Sequence, residues 1–600
     1  MIMKKFFAIF LLTLPFLAVA QEEDTYNESV IVTGTYRPVI ENHDKINVPP
    51  IVPEPDTTLR HRFSYQNSSA HRMVSLYDPS RIKAARVIGE PRTKLYNNYF
   101  KLGLGNHWSP YFEAYLHSLS DRSSNYGLYL KHHSHWGDIG NEDDPDSFFG
   151  PAYASQSDIN LFGNWIRNNK TRWATNLAYQ HDYNLYYGFN DALLQSINST
   201  DFQRENLSTS DYAAAYHFIN WNGSVTNIDN APLGYHAALH VADLFGSYAQ
   251  NELHISLDGH ADYAFQIAKK FDGRAGLALS WDGVAQHFDA NPDHLPLGFD
   301  SSFPLDTLRF NRNLFQFNPY GNLSIAHFDI HAGLRIAAGS YNSADTLHCY
   351  LFPDVTVSRS FFNNSFGITL GAVGAQEADD WNSNRLVNPY LAPAYNLRGS
   401  RHTDILLNLR YTLGRRFEIN ANVAYRWRYD VNSFQLDKRF ILNNIYNLHL
   451  EDRQGWHLGI DMQYTYDEMF SANLGAHYYG DKSANTMPLL FALKYDAYLN
   501  ANLNINDKFL VRLQSMLFSA MNADCVVDHY DEAGLPFYRV TEEIPFRLGL
   551  NLELEYRHTR ALSFFARLDN LTWQHYYYYL NYPTQRGIVT LGLTYTFPNR

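Results

Sequence analysis

Cysteine is nearly absent, basic residues are outnumbered, and long apolar runs are missing. The 600 residues hold two cysteines, Cys349 and Cys525, which excludes a disulfide framework as the source of rigidity. Lys and Arg total 48 against 61 Asp and Glu, for a net charge of −13. Without a basic patch, nucleic acid is excluded as a partner. After residue 20 no apolar stretch approaches the roughly 20 residues of a membrane helix, so a helical span is excluded. No Gly-x-Ser-x-Gly elbow supports a nucleophile, so the chain reads as a protein that is not an enzyme, and no cofactor is expected.

Aromatic residues are abundant instead: 44 Tyr, 39 Phe and 10 Trp, too many for a disordered chain. Met1–Ala20 reads as a secretory signal. Lys4 and Lys5 precede the apolar stretch 6–17, and Ala18-Val19-Ala20 supplies a small-residue cleavage site. Residues 21–96 open acidic, contain the Pro-rich run Val48–Pro55 and show little alternation. They read as a periplasmic or lumen-resident segment, with a disordered tail the equal alternative.

From about residue 97 to the end, apolar and polar residues alternate. In the closing strand Val589, Leu591, Leu593, Tyr595 and Phe597 fall on one face, and Thr590, Gly592, Thr594 and Thr596 on the other. The same pattern runs through 418–427, 456–466, 491–505 and 546–557. Such runs approach the roughly 9–11 residues with which a tilted strand crosses a bilayer, about twice an ordinary strand. The polar face is rich in Asn, Gly, Arg, Asp, Gln and His, as a hydrated lumen would be. A mean hydropathy of −0.37 does not oppose this, because half of each barrel strand is polar.

The expected fold is therefore all-β: a large antiparallel transmembrane β-barrel occupying 97–600, with about 22 strands (range 16–22). Short connections at 103–111, 413–415 and 467–468 alternate with long ones at 138–151, 186–210, 285–310, 375–400 and 521–542. Short turns are expected on the periplasmic side and long loops outside. Outer-membrane lipid and the barrel-assembly machinery are the expected partners. A barrel this wide needs a plug or serves as a channel.

Three segments resemble the TonB-dependent outer-membrane receptors. Glu28–Thr35 is similar to the stretch that begins their plug, Asn388-Pro-Tyr-Leu-Ala-Pro393 to a mid-barrel Asn-Pro-x-Leu-x-Pro-Glu loop, and Leu568–Leu571, Tyr582-Pro583 and 586–597 to their closing hairpin. The resemblance implies a receptor or transporter, with Val30, Ile31, Val32, Thr33 and Gly34 as the stretch a TonB-type energy transducer would pull. Departures accompany it. Ala394 replaces the usual acidic residue, about sixty residues stand where a whole plug would be, and Pro598-Asn-Arg600 follows the terminal aromatic. The stretch 79–96 resembles a plug's final strand. A passive channel, or a scaffold subunit of an outer-membrane complex, is the alternative. No substrate is named.

Other clusters carry weaker chemistry. In Lys131-His-His-Ser-His-Trp136, His133 and His135 place two imidazoles on one strand face, beside His132, as a Zn²⁺ or Cu²⁺ pair would be. No third ligand is assignable, so a polar strand position is favoured and no metal is expected. Asp143, Asp144 and Asp146 lack EF-hand spacing and read as a solvated loop. Trp573, Tyr576–Tyr579 and Tyr582 read as an aromatic girdle where lipid meets water, ahead of a stacking platform for a ligand.

Overall fold

Strands with one apolar face cannot leave an edge open in lipid, because no water is there to satisfy the free N–H and C=O groups. A computed structural model of the chain resolves this by closure. It describes residues 96–598 apart from 119–122, 141–147, 190–206, 230, 268–270, 290–294, 301, 304–307, 326, 341–346, 394–396, 398, 486 and 531–535. The expected leader at 1–20, the segment 21–95 with Val30–Gly34, the acidic run Asp143–Asp146 and Ala394 lie outside the described residues.

Twenty-two antiparallel strands form one sheet, each paired with its neighbour in chain order. The first, Tyr96–Gly105, pairs with the last, Ile588–Pro598, placing Leu102 opposite Leu593 and Gly103 opposite Gly592. That pairing closes the barrel. Gly103 and Gly592 lie under the Phe565 ring, and a Cβ on Gly592 would also meet the Leu102 carbonyl oxygen. Only residues without a side chain let the two strands and the ring approach this closely.

The two ends differ. At the end where the first strand begins and the last one finishes, connections are two to six residues long. Several are tight turns with consecutive left-handed residues, such as Asn168-Asn169 (φ 52° and 54°) and Asn506-Asp507 (φ 52° and 56°). This geometry suits the right-handed twist of the flanking strands, and Asn and Asp tolerate it. The long connections gather at the other end, called here the loop end. Two short ones break the rule there: Asn106–Trp108 and Ser247–Ala249. The link after Leu102-Gly103, expected among the periplasmic turns, is thus a loop-end turn.

Two other expectations need correction. The alternation at 491–505 marks a strand only from Tyr495; Phe491 has a left-handed backbone (φ 52°) and packs against loop residues. The stretch 521–542 is not a plain loop but a hairpin, Met521–Tyr530 with Pro536–Ile544, outside the barrel sheet.

Side chains divide by face as the period of two requires. Leu102, Leu279, Phe315, Trp456, Leu591, Tyr595 and Phe597 are exposed on the outer face. An apolar belt of this extent would not be stable against water. The inner face is charged and hydrogen-bonded: Glu553 accepts from Lys101 Nζ at 3.0 Å and Arg512 Nη1 at 2.6 Å, and Asp496 faces His477 Nδ1 at 2.9 Å. The fold is a membrane barrel with a polar lumen.

Because the seam tolerates no side chain at Gly592, Gly592→Val is expected to prevent closure. On a gel without boiling, the variant should lose the fast-migrating folded band that a closed barrel gives, whereas Thr594→Val, also on the inner face of that strand, should keep it.

Candidate functional site at the loop end

The loops at this end share a hydrophobic core of their own. Tyr186, Tyr216, Trp381, Leu391, Phe440, Leu442, Ile445, Tyr446 and Tyr582 are at most 2% exposed. Each such burial contributes roughly 1.5–3 kcal/mol, enough in sum to fold segments that have little regular structure. The core lies across the inside of the barrel mouth, on inward-facing residues such as Tyr216.

Its centre is the connection 377–400. The helix Trp381–Val387 is N-capped by Asp380, whose Oδ1 accepts from Ser383 N at 2.6 Å. Seven residues are too few for a helix to persist alone, and two wall carboxylates hold it. Glu252 accepts from the backbone N–H groups of Trp381 at 2.7 Å and Asn382 at 3.0 Å. Asp182 accepts from Arg385 Nη2 at 2.9 Å, with both residues buried, and the guanidinium lies over the Tyr216 ring. The Trp381 indole packs against Tyr216 and donates to the Ala392 carbonyl at 3.1 Å.

The motif Asn388–Pro393 follows directly. Asn388 Oδ1 accepts from Tyr390 N at 3.0 Å, Leu391 is fully buried, and Tyr390 to Ala392 bridge to Tyr446 through two backbone hydrogen bonds. The tyrosine run 576–579 and Tyr582 enter from another loop. Tyr582 stacks on Tyr390 with ring centroids 3.4 Å apart, and Tyr579 meets Tyr390, Tyr446 and Phe491. Tyr187 donates to the Pro583 carbonyl at 2.9 Å and Tyr446 to that of Leu580 at 2.8 Å. Burial pushes the phenols of Tyr187, Tyr390 and Tyr582 up, so they act as donors.

The girdle expected of this cluster is thereby corrected. Tyr582 is buried in the cap and Tyr579 is packed within it, Tyr576 is buried beside the barrel wall with its hydroxyl donating to the Leu548 carbonyl, and Trp573 and Tyr578 remain exposed. Alternation could not reveal this, because the run lies in a loop and its partners are distant in sequence.

Beneath the helix lies a cavity of about 330 Å³ between the barrel wall and the cap, lined by His133, His135, Gln156, Gln180, Asn184 and the Asp182–Arg385 pair. Gln180 Nε2 donates to both Asp182 oxygens, at 3.0 and 2.9 Å. His133 and His135 share the inner face. His132 points the other way and meets Ser157 Oγ at 2.8 Å. Among the described residues no group of three His, Cys, Asp or Glu is placed to hold a metal ion. Asp182, Glu252, Trp381 and Arg385 escaped sequence reasoning. Arg385 meets Asp182 across 203 positions, and no local pattern marks such a pair.

No family model matches the sequence, and no curated protein matches it. Solved structures do match in shape. The ferric-catecholate import receptor Fiu of E. coli K12 superposes with a TM-score of 0.58 at 10% identity, over 84% of this chain and 82% of that one. The P. aeruginosa receptor FpvA, bound to a pyoverdine–iron complex, gives 0.58 at 10% identity, over 85% and 72%. The copper transporter OprC gives 0.55 at 11%, over 85% and 82%. The chain therefore has the large-barrel fold of siderophore and copper receptors. That is the fold implied by its resemblance to the TonB-dependent receptors.

Two outcomes are expected of the cap. Removing one member of a buried ion pair strands its partner, typically at about 3–5 kcal/mol, whereas replacing both by apolar groups costs far less. Arg385→Leu should accelerate amide hydrogen exchange over 381–392, and Asp182→Leu/Arg385→Leu together should restore much of the protection. Asp379, in the same loop, accepts from Ser400 N at 3.0 Å. Burial pushes its carboxyl up to about 7, even with the Arg312 guanidinium and that N–H drawing it down. A folded-state value above the ordinary carboxylate range means stability is full at low pH and is lost as pH rises through about 7. Cap protection should fall between pH 5 and pH 8, and Asp379→Asn should flatten that dependence.

Proposed function

We propose that the chain is an outer-membrane receptor that imports a ligand by the mechanism of the TonB-dependent receptors. The observation that carries this reading is the packed cap: the lumen of a 22-stranded barrel is crossed at its loop end by a hydrophobic core. An open diffusion channel has no use for such a core, so the passive-channel alternative is disfavoured. In this reading the short turns face the periplasm and the loops face outward. Lipid surrounds the apolar belt, and the assembly machinery inserts the barrel after export by the leader 1–20.

Coupling is assigned to Val30, Ile31, Val32, Thr33 and Gly34. A TonB-type transducer pulling this stretch would displace the segment 36–95, which precedes the barrel in sequence. The resemblance in Glu28–Thr35 supports the assignment. The chemistry to be done is binding and release, with no bond made or broken.

Deleting 28–35 should abolish energy-dependent uptake while leaving the barrel folded and inserted. In planar bilayers the intact protein should conduct little, and excision of 381–392 should raise conductance. A large steady conductance of the intact protein, or uptake indifferent to the deletion, would overturn the reading.

A further inference from the structure

We propose that the cavity beneath the helix Trp381–Val387 is a binding site for an uncharged, hydroxyl-rich ligand of the class of a neutral carbohydrate. The inference rests on the receptor reading above and adds the chemistry of what is received.

Among the described residues that line the cavity, the one guanidinium and the one carboxylate are spent on each other: Arg385 Nη2 lies 2.9 Å from Asp182 Oδ2, and Gln180 occupies both Asp182 oxygens. Arg385 is also engaged by Asn382 Oδ1 at 2.8 Å. An anionic ligand would find no free cation, and a cationic one no free carboxylate. Either would have to break a buried pair, which is strongly unfavourable. A metal ion lacks a third ligand among the described residues.

What remains is a lining of dual donors and acceptors. The carboxamide of Asn184 offers an N–H₂ donor and a C=O acceptor. Gln156, which also bonds Asp158, and the His133 imidazole add further donors and acceptors, and His135, whose N–H is taken by the Ala152 carbonyl, adds an acceptor. A hydroxyl is itself donor and acceptor, so several hydroxyls on one rigid ring match such a surface from either sense. An apolar ligand would leave these groups unpaired, and that costs about 1–3 kcal/mol each. Leu386 and Pro389 supply an apolar side, suited to the C–H face of a sugar ring. The volume of about 330 Å³ stands at the small end of the range for small-molecule pockets. Both walls are fixed, the strands by the barrel and the helix by Glu252 and Asp182, so little ordering would oppose binding.

The test is titration calorimetry on the full chain purified in detergent, using maltose, cellobiose and lactose as neutral probes and glucose 6-phosphate and spermidine as charged ones. Saturable binding of at least one neutral disaccharide is expected, weakened at least tenfold in both Asn184→Leu and Gln156→Leu and unchanged in Thr594→Val. The folded band on an unboiled gel checks each variant, with Asn184→Ala and Gln156→Ala as substitutes where a leucine prevents folding. Absence of binding by all three neutral probes, equal or tighter binding of a charged probe, or undiminished binding in the folded pocket variants overturns the proposal. The chain lacking 28–35 separates the two readings. Neutral binding that survives this deletion while uptake is lost supports both. Uptake that requires 28–35 without neutral binding sinks the pocket alone, and neutral binding with uptake indifferent to the deletion sinks the receptor mechanism alone.

Discussion

The seam between Tyr96–Gly105 and Ile588–Pro598 is the constraint on which the rest depends. In lipid an unpaired strand edge cannot be satisfied by water, so neither terminal strand can exist there alone. Their pairing joins residues nearly five hundred positions apart and is the last contact chain order can supply. Once it forms, the lumen is defined, the loop ends are brought into a ring, and side chains distant in sequence can meet across the mouth. Gly103, Gly592 and Phe565 show the local cost of closure: two positions give up a side chain so that the ring of the third can cover the join.

The cap uses this enclosure in a way that resembles an ordinary soluble core turned inside a membrane protein. Loops carry polar backbone that must be satisfied wherever it is buried. Here tyrosine hydroxyls do much of that work, donating to carbonyls in neighbouring loops while their rings pack. Glu252 and Asp182 play a different part. They are wall residues, and by holding the helix Trp381–Val387 they set the distance between cap and barrel. The cavity beneath is the space that distance leaves. Its polarity follows from the inner wall, whose alternate residues face the lumen.

How much of this was legible in the sequence varies with the range of the interaction involved. Strand periodicity is local, so the barrel class and a count near 22 followed from alternation alone. The closing strand's apolar side, with Leu591, Tyr595 and Phe597, could be assigned because each neighbour differs in kind. The motif Asn388–Pro393 signalled a loop of note without indicating that Leu391 would be its buried centre. The composition of the tyrosine run 576–579 suits a lipid interface. Composition does not distinguish a ring facing lipid from a ring facing another loop, and only Tyr390, Tyr446 and Phe491 make the difference.

By itself the sequence determined the alternation, the strand lengths, the polar inner face and the division into short and long connections, because each depends on residues within a few positions of one another. The tertiary structure decided the rest. It selected which loops fold into the mouth, paired Asp182 with Arg385, seated Glu252 on a helix start and packed Tyr579 and Tyr582 into the cap. The physical reason is closure: those groups become neighbours only when the first strand meets the last.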